Sequence, residues 1–331
     1  MFALKMIVTY KCNSMCDHCR FRSGPNLDSV IPPRKAKEWV KALRDSFDLE
    51  RLVLYGGEPT LYFREMCDIA EFAHSVGVSI HVETNCSWAT TPDRAVKVLS
   101  RLKGLNPQFL FSFDGFHARF IPFDRVRNAI TAAKKLGIIY HHDIALTDNI
   151  DAENDYDKLT KGLVKELSEE GSLGNYALYR SFYTGRAAEK LAERFVGETC
   201  ISPHFYKDFL PYFRRLDQKC VELPWYLDIS HENTNVLDVD PYGWVSFGCG
   251  IAIGNANDSS ITKVVEDYDP RDHPIISVLM REGPVGLTKI PEAEGYPVKT
   301  RYVEKCHLCQ DIRNYIKPCF PNILVPPNMY F

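Results

Sequence analysis

Six short apolar runs alternate with amphipathic stretches over the first 200 residues of this chain. The runs are rich in β-branched and aromatic residues, which is typical of strands that are buried on both faces. We predict six strands, at residues 4–10, 51–55, 78–83, 109–113, 138–146 and 176–182. The amphipathic stretches predict six helices, at residues 34–47, 62–75, 92–102, 123–136, 156–170 and 187–195. Six βα units favour a parallel sheet with right-handed crossovers, and a closed barrel needs eight. We therefore expect an α/β fold, a partial (β/α)6 barrel.

The pattern changes after about residue 200. Residues 235–247 predict two strands joined by a turn at residues 240–243, and residues 260–265 predict a short helix. A Pro- and Gly-rich stretch follows at residues 282–297, and a second short helix begins near Cys306. We predict two domains: residues 1–200 form the barrel, and residues 201–331 form a small hairpin-plus-helix domain.

The net charge of the chain argues against some classes of binding partner. The 40 Lys and Arg residues against 43 Asp and Glu leave a net charge of -3, which gives no support to binding of nucleic acid or of an anionic membrane. No apolar run approaches the roughly 20 residues of a membrane helix. The segment before the first cysteine is too short for a signal peptide. We expect a cytoplasmic protein that binds neither nucleic acid nor membrane.

Eleven cysteines need an explanation. An odd number in a chain without an export signal argues against a disulfide framework. Cys12, Cys16 and Cys19 follow the first predicted strand, and three thiolates at this spacing can ligate three irons of an iron–sulfur cluster while one iron stays open. On spacing alone, a zinc site completed by His18 or a distant cysteine is the alternative. Cys67 and Cys200 are most simply core or surface residues.

The loop from Cys12 to Cys19 resembles the CxxxCxxC signature of the radical S-adenosylmethionine (radical SAM) enzymes. Four later segments are similar to further motifs of that family: Tyr-Gly-Gly-Glu-Pro at 55–59, Glu-Thr-Asn at 83–85, Ser-Phe-Asp-Gly at 112–115 and Tyr-Thr-Gly-Arg-Ala at 183–187. All five follow the family's order at the ends of predicted strands, where a βα barrel builds its active site. The resemblance covers roughly residues 4–190 and implies a barrel of the radical SAM type.

This resemblance implies that the three cysteines hold a [4Fe-4S] cluster whose open iron is chelated by S-adenosylmethionine (SAM). Gly56 and Gly57 then allow close backbone approach where a side chain would block the ligand, and Glu58 accepts a hydrogen bond from the SAM ammonium group. Contacts with the amino-acid or ribose portions of SAM are made by Asn85, Ser112 and Asp114. Arg180 pairs with the SAM carboxylate or serves the substrate. For each polar residue, an ordinary loop contact is the alternative.

The family's chemistry is reductive cleavage of SAM to methionine and a 5′-deoxyadenosyl radical, which abstracts a hydrogen atom from the substrate. A flavodoxin- or ferredoxin-type protein is the implied reductant. No protein acid or base is needed for this step, so no catalytic residue is predicted. Cys86 replaces the glycine that is usual after Thr-Asn, and it is either a packed residue or a thiol that faces the substrate.

A second group of residues, Gly243, Cys249, Cys306 and Cys309, resembles the twitch or SPASM extension that holds an auxiliary [4Fe-4S] cluster. The family's usual cysteine before the hairpin is missing here. His231, Cys220 or Cys319 could supply the fourth ligand, or the site could stay open. The alternative is a structural zinc site that uses the same three cysteines.

Three functions compete. The first is oxidation or rearrangement of a small polar metabolite by this oxidoreductase-type enzyme. The second is modification of a peptide by crosslinking, thioether formation or residue oxidation. Because the cluster loop begins at residue 12, we expect no leader-binding domain before it, so a peptide would need a separate leader-binding partner. The third is a non-enzymatic electron-transfer or sensor protein, against which the intact SAM-binding motifs argue. We expect the metabolite reaction.

Overall fold

The computed structural model describes residues 2–147, 153–199 and 235–331. By their internal contacts these residues divide into two units. The barrel unit contains residues 2–16 and 23–181, and the C-terminal unit contains residues 17–22 and the described part of 182–331. The domain boundary at residue 200 stays a prediction, because residues 200–234 lie outside the described part.

The barrel unit is built on six parallel strands in the order β6-β5-β4-β3-β2-β1. The strands are β1 Phe2–Thr9, β2 Leu49–Gly56, β3 Ser79–Thr84, β4 Gln108–Ser112, β5 Ile139–Leu146 and β6 Asn175–Arg180. Within the described residues, β6 and β1 do not pair, so this sheet is open. The predicted α/β class and the partial barrel are confirmed.

Five helices connect these strands, because parallel neighbours need a crossover. They are α1 Pro33–Phe47, α2 Phe63–Ser75, α3 Pro92–Leu102, α4 Phe123–Leu136 and α5 Asp155–Glu169. Local signals set their ends. The Thr91 side chain caps α3 by accepting from the Arg94 N–H at 3.2 Å, and Gly137 ends α4 in the left-handed conformation at φ 68°. The five predicted helices are confirmed to within one residue at each end.

The sheet of the barrel unit has two unlike faces, because side chains alternate along each strand. One face is apolar, and its residues, such as Leu54, Val82 and Phe111, are fully buried. The register places half-buried polar side chains together on the opposite face. We call these six residues the polar face: Lys5, His81, Glu83, Ser112, His141 and Asp143.

The C-terminal unit contains an antiparallel three-stranded ribbon of β7 Asn235–Val239, β8 Trp244–Ser246 and β9 Ala252–Asn255. The predicted hairpin is confirmed. Its turn is held by Asp240, whose Oδ1 accepts from the N–H groups of Tyr242 at 2.9 Å and Trp244 at 2.8 Å. Gly243 turns at φ 83°, which favours glycine.

The helices of this unit are α6 Arg186–Lys190, α7 Ala192–Thr199, α8 Ile261–Glu266, α9 Ile276–Glu282, α10 Pro284–Leu287 and α11 Lys305–Ile316. The predicted helices at 260–265 and near Cys306 are confirmed as α8 and α11. Neither β9, α9 nor α10 was predicted. In α10 the proline does not break the helix, because Pro284 occupies its first turn, where no N–H is needed. No helix in the described ranges combines the length and apolar character that crossing a bilayer requires.

Candidate cofactor site

The turn after β2 lies directly against the segment that leads into the cysteine loop. The N–H of Gly57 donates to the Thr9 carbonyl at 2.8 Å, and the N–H of Glu58 donates to the Lys11 carbonyl at 2.8 Å. A Cβ on Gly57 would lie 2.1 Å from the Lys11 oxygen. Gly57 is therefore required by its own chain. It makes room for the backbone just before Cys12, and its predicted role of leaving room for a ligand stays a prediction.

Glu58 occupies the buried centre of this turn, with 0% of its surface exposed. Its carboxylate accepts hydrogen bonds from the Thr60 N–H and hydroxyl, from the Thr84 hydroxyl at 2.8 Å and from the Asn85 N–H at 2.9 Å. Burial raises the pKa of Glu58, and these hydrogen bonds oppose that rise. The carboxylate therefore ties the end of β2 to the end of β3. This geometry gives Glu58 a role in loop positioning, and its predicted contact with the SAM ammonium group stays a prediction.

Asn85 is the residue after β3 that contacts the cysteine loop. Its Nδ2 lies 3.1 Å from Asn13 Oδ1 and 3.7 Å from Cys12 Sγ. Its own Oδ1 accepts from the Ser87 N–H at 2.9 Å, which fixes the orientation of the amide. Hydrogen bonds to ligating sulfurs tune an iron–sulfur cluster. Asn85 is thus placed to act on a cluster through Cys12.

Cys12 and Cys16 are buried thiols of the barrel unit. Cys19 belongs to the C-terminal unit, where its carbonyl accepts from the N–H groups of Arg22 at 3.2 Å and Arg186 at 3.0 Å. A Cβ on Gly185 would lie 2.0 Å from the Arg20 carbonyl oxygen. The Gly-Arg-Ala segment therefore packs its backbone against the last residues of the cysteine loop.

Cys86 adopts the left-handed conformation, with φ 61°, and is completely buried. Burial, with the nearby Glu58 carboxylate, raises the pKa of its thiol well above the usual value. The position keeps a glycine-like backbone although it carries a side chain. Of the two readings of Cys86, the structure supports the packed residue.

Asp114, like Glu58, turns its carboxylate into the protein. Oδ1 accepts from the N–H groups of Phe116 and His117 and from His117 Nδ1, each at 2.9 Å, and Oδ2 accepts from the Ala145 N–H at 3.2 Å. Asp114 therefore joins the loop after β4 to β5. The predicted contact of Asp114 with SAM stays a prediction beside these internal contacts.

Ser112 and Asn85 line a small cavity together with His117. His117 was missed in the sequence, where only its spacing of three residues from Asp114 could have indicated it. Burial alone would lower the pKa of His117, but the Asp114 carboxylate outweighs burial and raises it. Asp114 lines the cavity too, so the cavity brings together three predicted SAM contacts and one unpredicted imidazole.

Arg180 ends β6 and is half-buried. Its Nε donates to the Thr147 carbonyl at 3.1 Å, just beyond β5. Thr147 is itself held by Asp157 of α5, whose Oδ1 accepts from the Thr147 N–H at 2.7 Å. Arg180 therefore makes a structural contact between β6 and the residue after β5. Its predicted pairing with the SAM carboxylate or with the substrate stays a prediction.

The polar face contains an ion pair that was not predicted. Lys5 Nζ lies 2.8 Å from Glu83 Oε1 and 4.3 Å from the centroid of the Tyr55 ring, and the two charged side chains are 23% and 24% exposed. Burial, aided by Arg51, lowers the pKa of nearby His81 to about 4, so this imidazole is neutral. The alternation of residues 81 and 83 with apolar neighbours was the available signal. This face offers both charges and neutral hydrogen-bonding groups to a ligand.

Three predicted ligands of the C-terminal unit meet at one cavity. Cys249, Cys306 and Cys309 line it, although Cys249 precedes Cys306 by more than 50 residues. Cys249 lies in a loop between two left-handed glycines, Gly248 at φ 76° and Gly250 at φ 80°. Cys306 and Cys309 lie in the first turns of α11, where the helix dipole favours thiolates.

Of the candidates for a fourth ligand, only Cys319 lies in the part of the chain that the structure describes. Cys319 is exposed in the 3-10 turn after α11 and is absent from the cavity lining. His231 and Cys220 lie outside the described residues, as does Cys200. Among the described candidates, the structure therefore argues against Cys319.

The chemistry of the cavity fits an anionic metal centre. Arg20, Lys305 and Arg313 line it beside the three thiols, and cations of this kind balance the charge of a thiolate-ligated centre. The hydroxyl of Tyr268 is buried with no hydrogen-bond partner among the described residues. Burial raises the pKa of Tyr268, and the charges of Cys249 and Asp269 add to this rise.

This chain was compared with known protein families and with individual proteins. Residues 6–158 match the family model described as the Radical SAM superfamily. The chain is 22% identical over 160 residues to YydG of Bacillus subtilis (strain 168), a protein named for peptide biosynthesis. The match covers 48% of this chain and 48% of YydG, so it spans about half the length of the curated relative.

Two solved structures share the fold. Native anSMEcpe with bound AdoMet superimposes with a TM-score of 0.56 at 13% identity, over 97% of this chain and 99% of that chain. The same protein with bound AdoMet and the Cp18Cys peptide gives a TM-score of 0.53 at 14% identity, over 97% and 98%. At these identities the likeness shows the fold alone.

Proposed function

Because residues 6–158 of this chain form a radical SAM domain, we propose that the protein is a radical SAM enzyme that modifies a peptide and carries an auxiliary iron–sulfur cluster in its C-terminal unit. The similarity to YydG, a protein named for peptide biosynthesis, carries the peptide assignment. A fold neighbour has been crystallised with AdoMet and a peptide together, so this fold can accept both. These findings favour the peptide reaction over the metabolite reaction that we expect from the sequence.

The radical SAM domain binds a [4Fe-4S] cluster and SAM. Cys12, Cys16 and Cys19 would hold the cluster. When bound, this pair of groups supplies a 5′-deoxyadenosyl radical that abstracts hydrogen from the substrate. The chain's own residues hold the surrounding loops in place: Glu58 ties β2 to β3, and Asp114 ties β4 to β5. Their buried carboxylates keep the loops fixed while charge develops nearby.

The polar face would receive the peptide. It lies on the side of the sheet opposite the apolar face, and its side chains are half-buried, so they retain capacity to bind a ligand. The Lys5–Glu83 pair presents both charges within 2.8 Å. A peptide side chain with a charged or amide group could exchange with either partner, because the two side chains are still 23% and 24% exposed and such a pair contributes little net stability.

Cys249, Cys306 and Cys309 would hold the auxiliary cluster, and the cationic lining of their cavity supports this assignment. When bound, this group would accept an electron from the substrate or anchor it, which fits an oxidoreductase-type reaction. A flavodoxin- or ferredoxin-type reductant and a separate leader-binding partner remain part of the proposal.

Anaerobic reconstitution of the full chain tests the first step. With dithionite and SAM, the wild-type protein should form 5′-deoxyadenosine, and the Cys16→Ala variant should not. Cys67→Ala is the matched control, because Cys67 is a buried thiol on α2 that contributes to neither cysteine group. If the reconstituted first cluster forms no deoxyadenosine, an electron-transfer or sensor protein takes the place of the enzyme.

The substrate class needs a second comparison. We would offer synthetic peptides of varied sequence and, separately, a panel of amino sugars and cyclitols. We expect peptides to accelerate deoxyadenosine formation and to lose two hydrogens by mass spectrometry. Acceleration by the cyclitols alone would return the assignment to a small metabolite.

A further inference from the structure

Arg313 is a buried cation on α11, one turn after Cys309, and only 1% of its surface is exposed. Its Nη1 donates to the Cys249 carbonyl at 2.6 Å and to the Tyr330 hydroxyl at 2.9 Å. Its Nε donates to the Cys309 carbonyl at 3.3 Å. One guanidinium therefore joins the main chains of the two segments that carry all three cysteines.

The loop around Cys249 depends on this contact. The Tyr330 hydroxyl, which accepts from Arg313, donates in turn to the Gly250 carbonyl. The Gly250 carbonyl also accepts from the Val325 N–H at 3.2 Å, whereas the Cys249 carbonyl accepts from Arg313. Because Gly248 and Gly250 are left-handed and permissive, the Arg313 contact restricts the conformations of the loop at Cys249.

The charge of Arg313 lacks a matching anion. Its fourth hydrogen bond goes to the Gln310 amide oxygen at 3.3 Å, so its partners across the described chain are carbonyls, a hydroxyl and an amide, with no carboxylate. A buried charge without an opposite charge costs several kcal/mol. Arg313 also lines the cysteine cavity. A thiolate-ligated cluster in that cavity would supply a compensating anion.

We propose that Arg313 is a positioning residue for the auxiliary cluster: it fixes the Cys249 loop against α11 and places a permanent positive charge beside the cluster. That charge stabilises the reduced cluster, which carries one more electron, and so raises its reduction potential. The inference rests on the proposed function only in placing an iron–sulfur cluster in this cavity. It does not depend on the substrate.

Two substitutions distinguish the fixation of the Cys249 loop from the effect of the positive charge. Arg313→Met keeps most of the side-chain length but removes both the charge and the donors. Arg313→Lys keeps the charge but loses the planar fork that reaches both carbonyls. Arg281→Met is the matched control, because Arg281 lies exposed on α9 in the same unit and away from the cavity.

The test uses the full chain with Cys12, Cys16 and Cys19 changed to alanine, so that only the auxiliary site can load. After anaerobic reconstitution we would count iron and titrate the cluster's one-electron reduction by electron paramagnetic resonance. We expect about four irons per chain in this parent protein. In Arg313→Met, the ratio of reduced to oxidised cluster at a given potential should fall at least tenfold, which is a shift of about 59 mV to more negative potential. Arg313→Lys should lose iron occupancy but stay within threefold of the parent ratio, and Arg281→Met should match the parent.

Three results would overturn the proposal. The first is an unchanged potential and iron content in Arg313→Met. The second is a lysine variant that resembles the methionine variant in both measurements, including the case in which neither holds iron. The third is zinc in place of iron in the parent protein. If Arg313→Met fails to load, an Arg313→Lys protein that holds less iron than the parent but has a potential near that of the parent supports the role of the charge. No substrate enters the experiment, so failure of the peptide assignment would leave its result unaffected.

Discussion

Substitution of Gly57 by alanine should damage the barrel unit at the point where it supports the cysteine loop. The new Cβ would lie 2.1 Å from the Lys11 carbonyl oxygen, about 1.3 Å short of the 3.4 Å at which ordinary contact begins. The obstacle is backbone, so no side-chain rotation relieves it. The turn after β2 and the segment after β1 must move apart.

That movement would break two hydrogen bonds. Gly57 N to the Thr9 carbonyl and Glu58 N to the Lys11 carbonyl are both 2.8 Å long, and an opening of about 1.3 Å takes both beyond bonding distance. Each bond contributes about 1 kcal/mol, and each buried group left without a partner costs about 1–3 kcal/mol. We expect a loss of about 2–5 kcal/mol, a large part of a domain's usual stability.

Thermal unfolding followed by circular dichroism, together with an iron count after reconstitution, measures this effect. Gly57→Ala should lower the melting temperature and the iron held by the first cluster. Gly162→Ala is the matched control: no atom lies within 4 Å of its Cβ position on α5, so it should stabilise the helix by about 0.5–1 kcal/mol. A Gly57→Ala protein that melts with the wild type and loads normally would refute the close-approach argument.

Three further outcomes follow from the same contacts. Cys86→Gly should change the free energy of unfolding by less than about 1 kcal/mol in thermal melts, because relief of the left-handed strain offsets the lost burial. Deoxyadenosine formation should stay intact. Loss of activity would show that the thiol serves the reaction. Asn85→Ala removes the donor 3.7 Å from Cys12 Sγ and should shift the first cluster's potential to more negative values in a redox titration, whereas an unchanged potential would leave the amide a structural role only. Asp114→Asn should cost about 1–3 kcal/mol. The folded pKa of His117 is raised, so its pair with Asp114 stabilises the fold fully below the unfolded pKa of about 6.5 and loses this effect as the pH rises through the folded value. Melts from pH 5 to 8 should show that decline in the wild type and a flatter curve in Asp114→Asn; parallel curves would contradict the pairing.

Much of the barrel unit could be predicted because its signals are local. The bounds of α3 and α4 follow directly from a proline near the start, amphipathic periodicity and a basic last turn. Short apolar runs likewise indicated β1 to β6, with errors of one to three residues at their ends. The helices α9 and α10 were missed because their stretch is short and interrupted by glycine and proline, which are read as loop signals even where proline begins a helix.

The cysteine groups were also visible in the sequence, because Cys12, Cys16 and Cys19, and again Cys306 and Cys309, are closely spaced. The internal contacts of the residues around them were not. Gly57 makes room for Lys11, and the Glu58 and Asp114 carboxylates accept hydrogen bonds within the barrel unit, while their predicted roles toward SAM stay predictions. The residue type alone does not show whether a loop carboxylate faces a ligand or accepts from a buried N–H.

The sequence by itself thus determined the order of the elements, the open α/β sheet and the type of chemistry, because hydrophobic periodicity and ligand spacing are properties of neighbouring residues. Only the tertiary structure decided which groups meet across long separations: Asn85 with Cys12, and Arg313 with the carbonyl of Cys249. Burial makes these contacts important for stability. A polar group removed from water must find its partner inside the protein, and which partner it finds depends on packing that no local pattern contains.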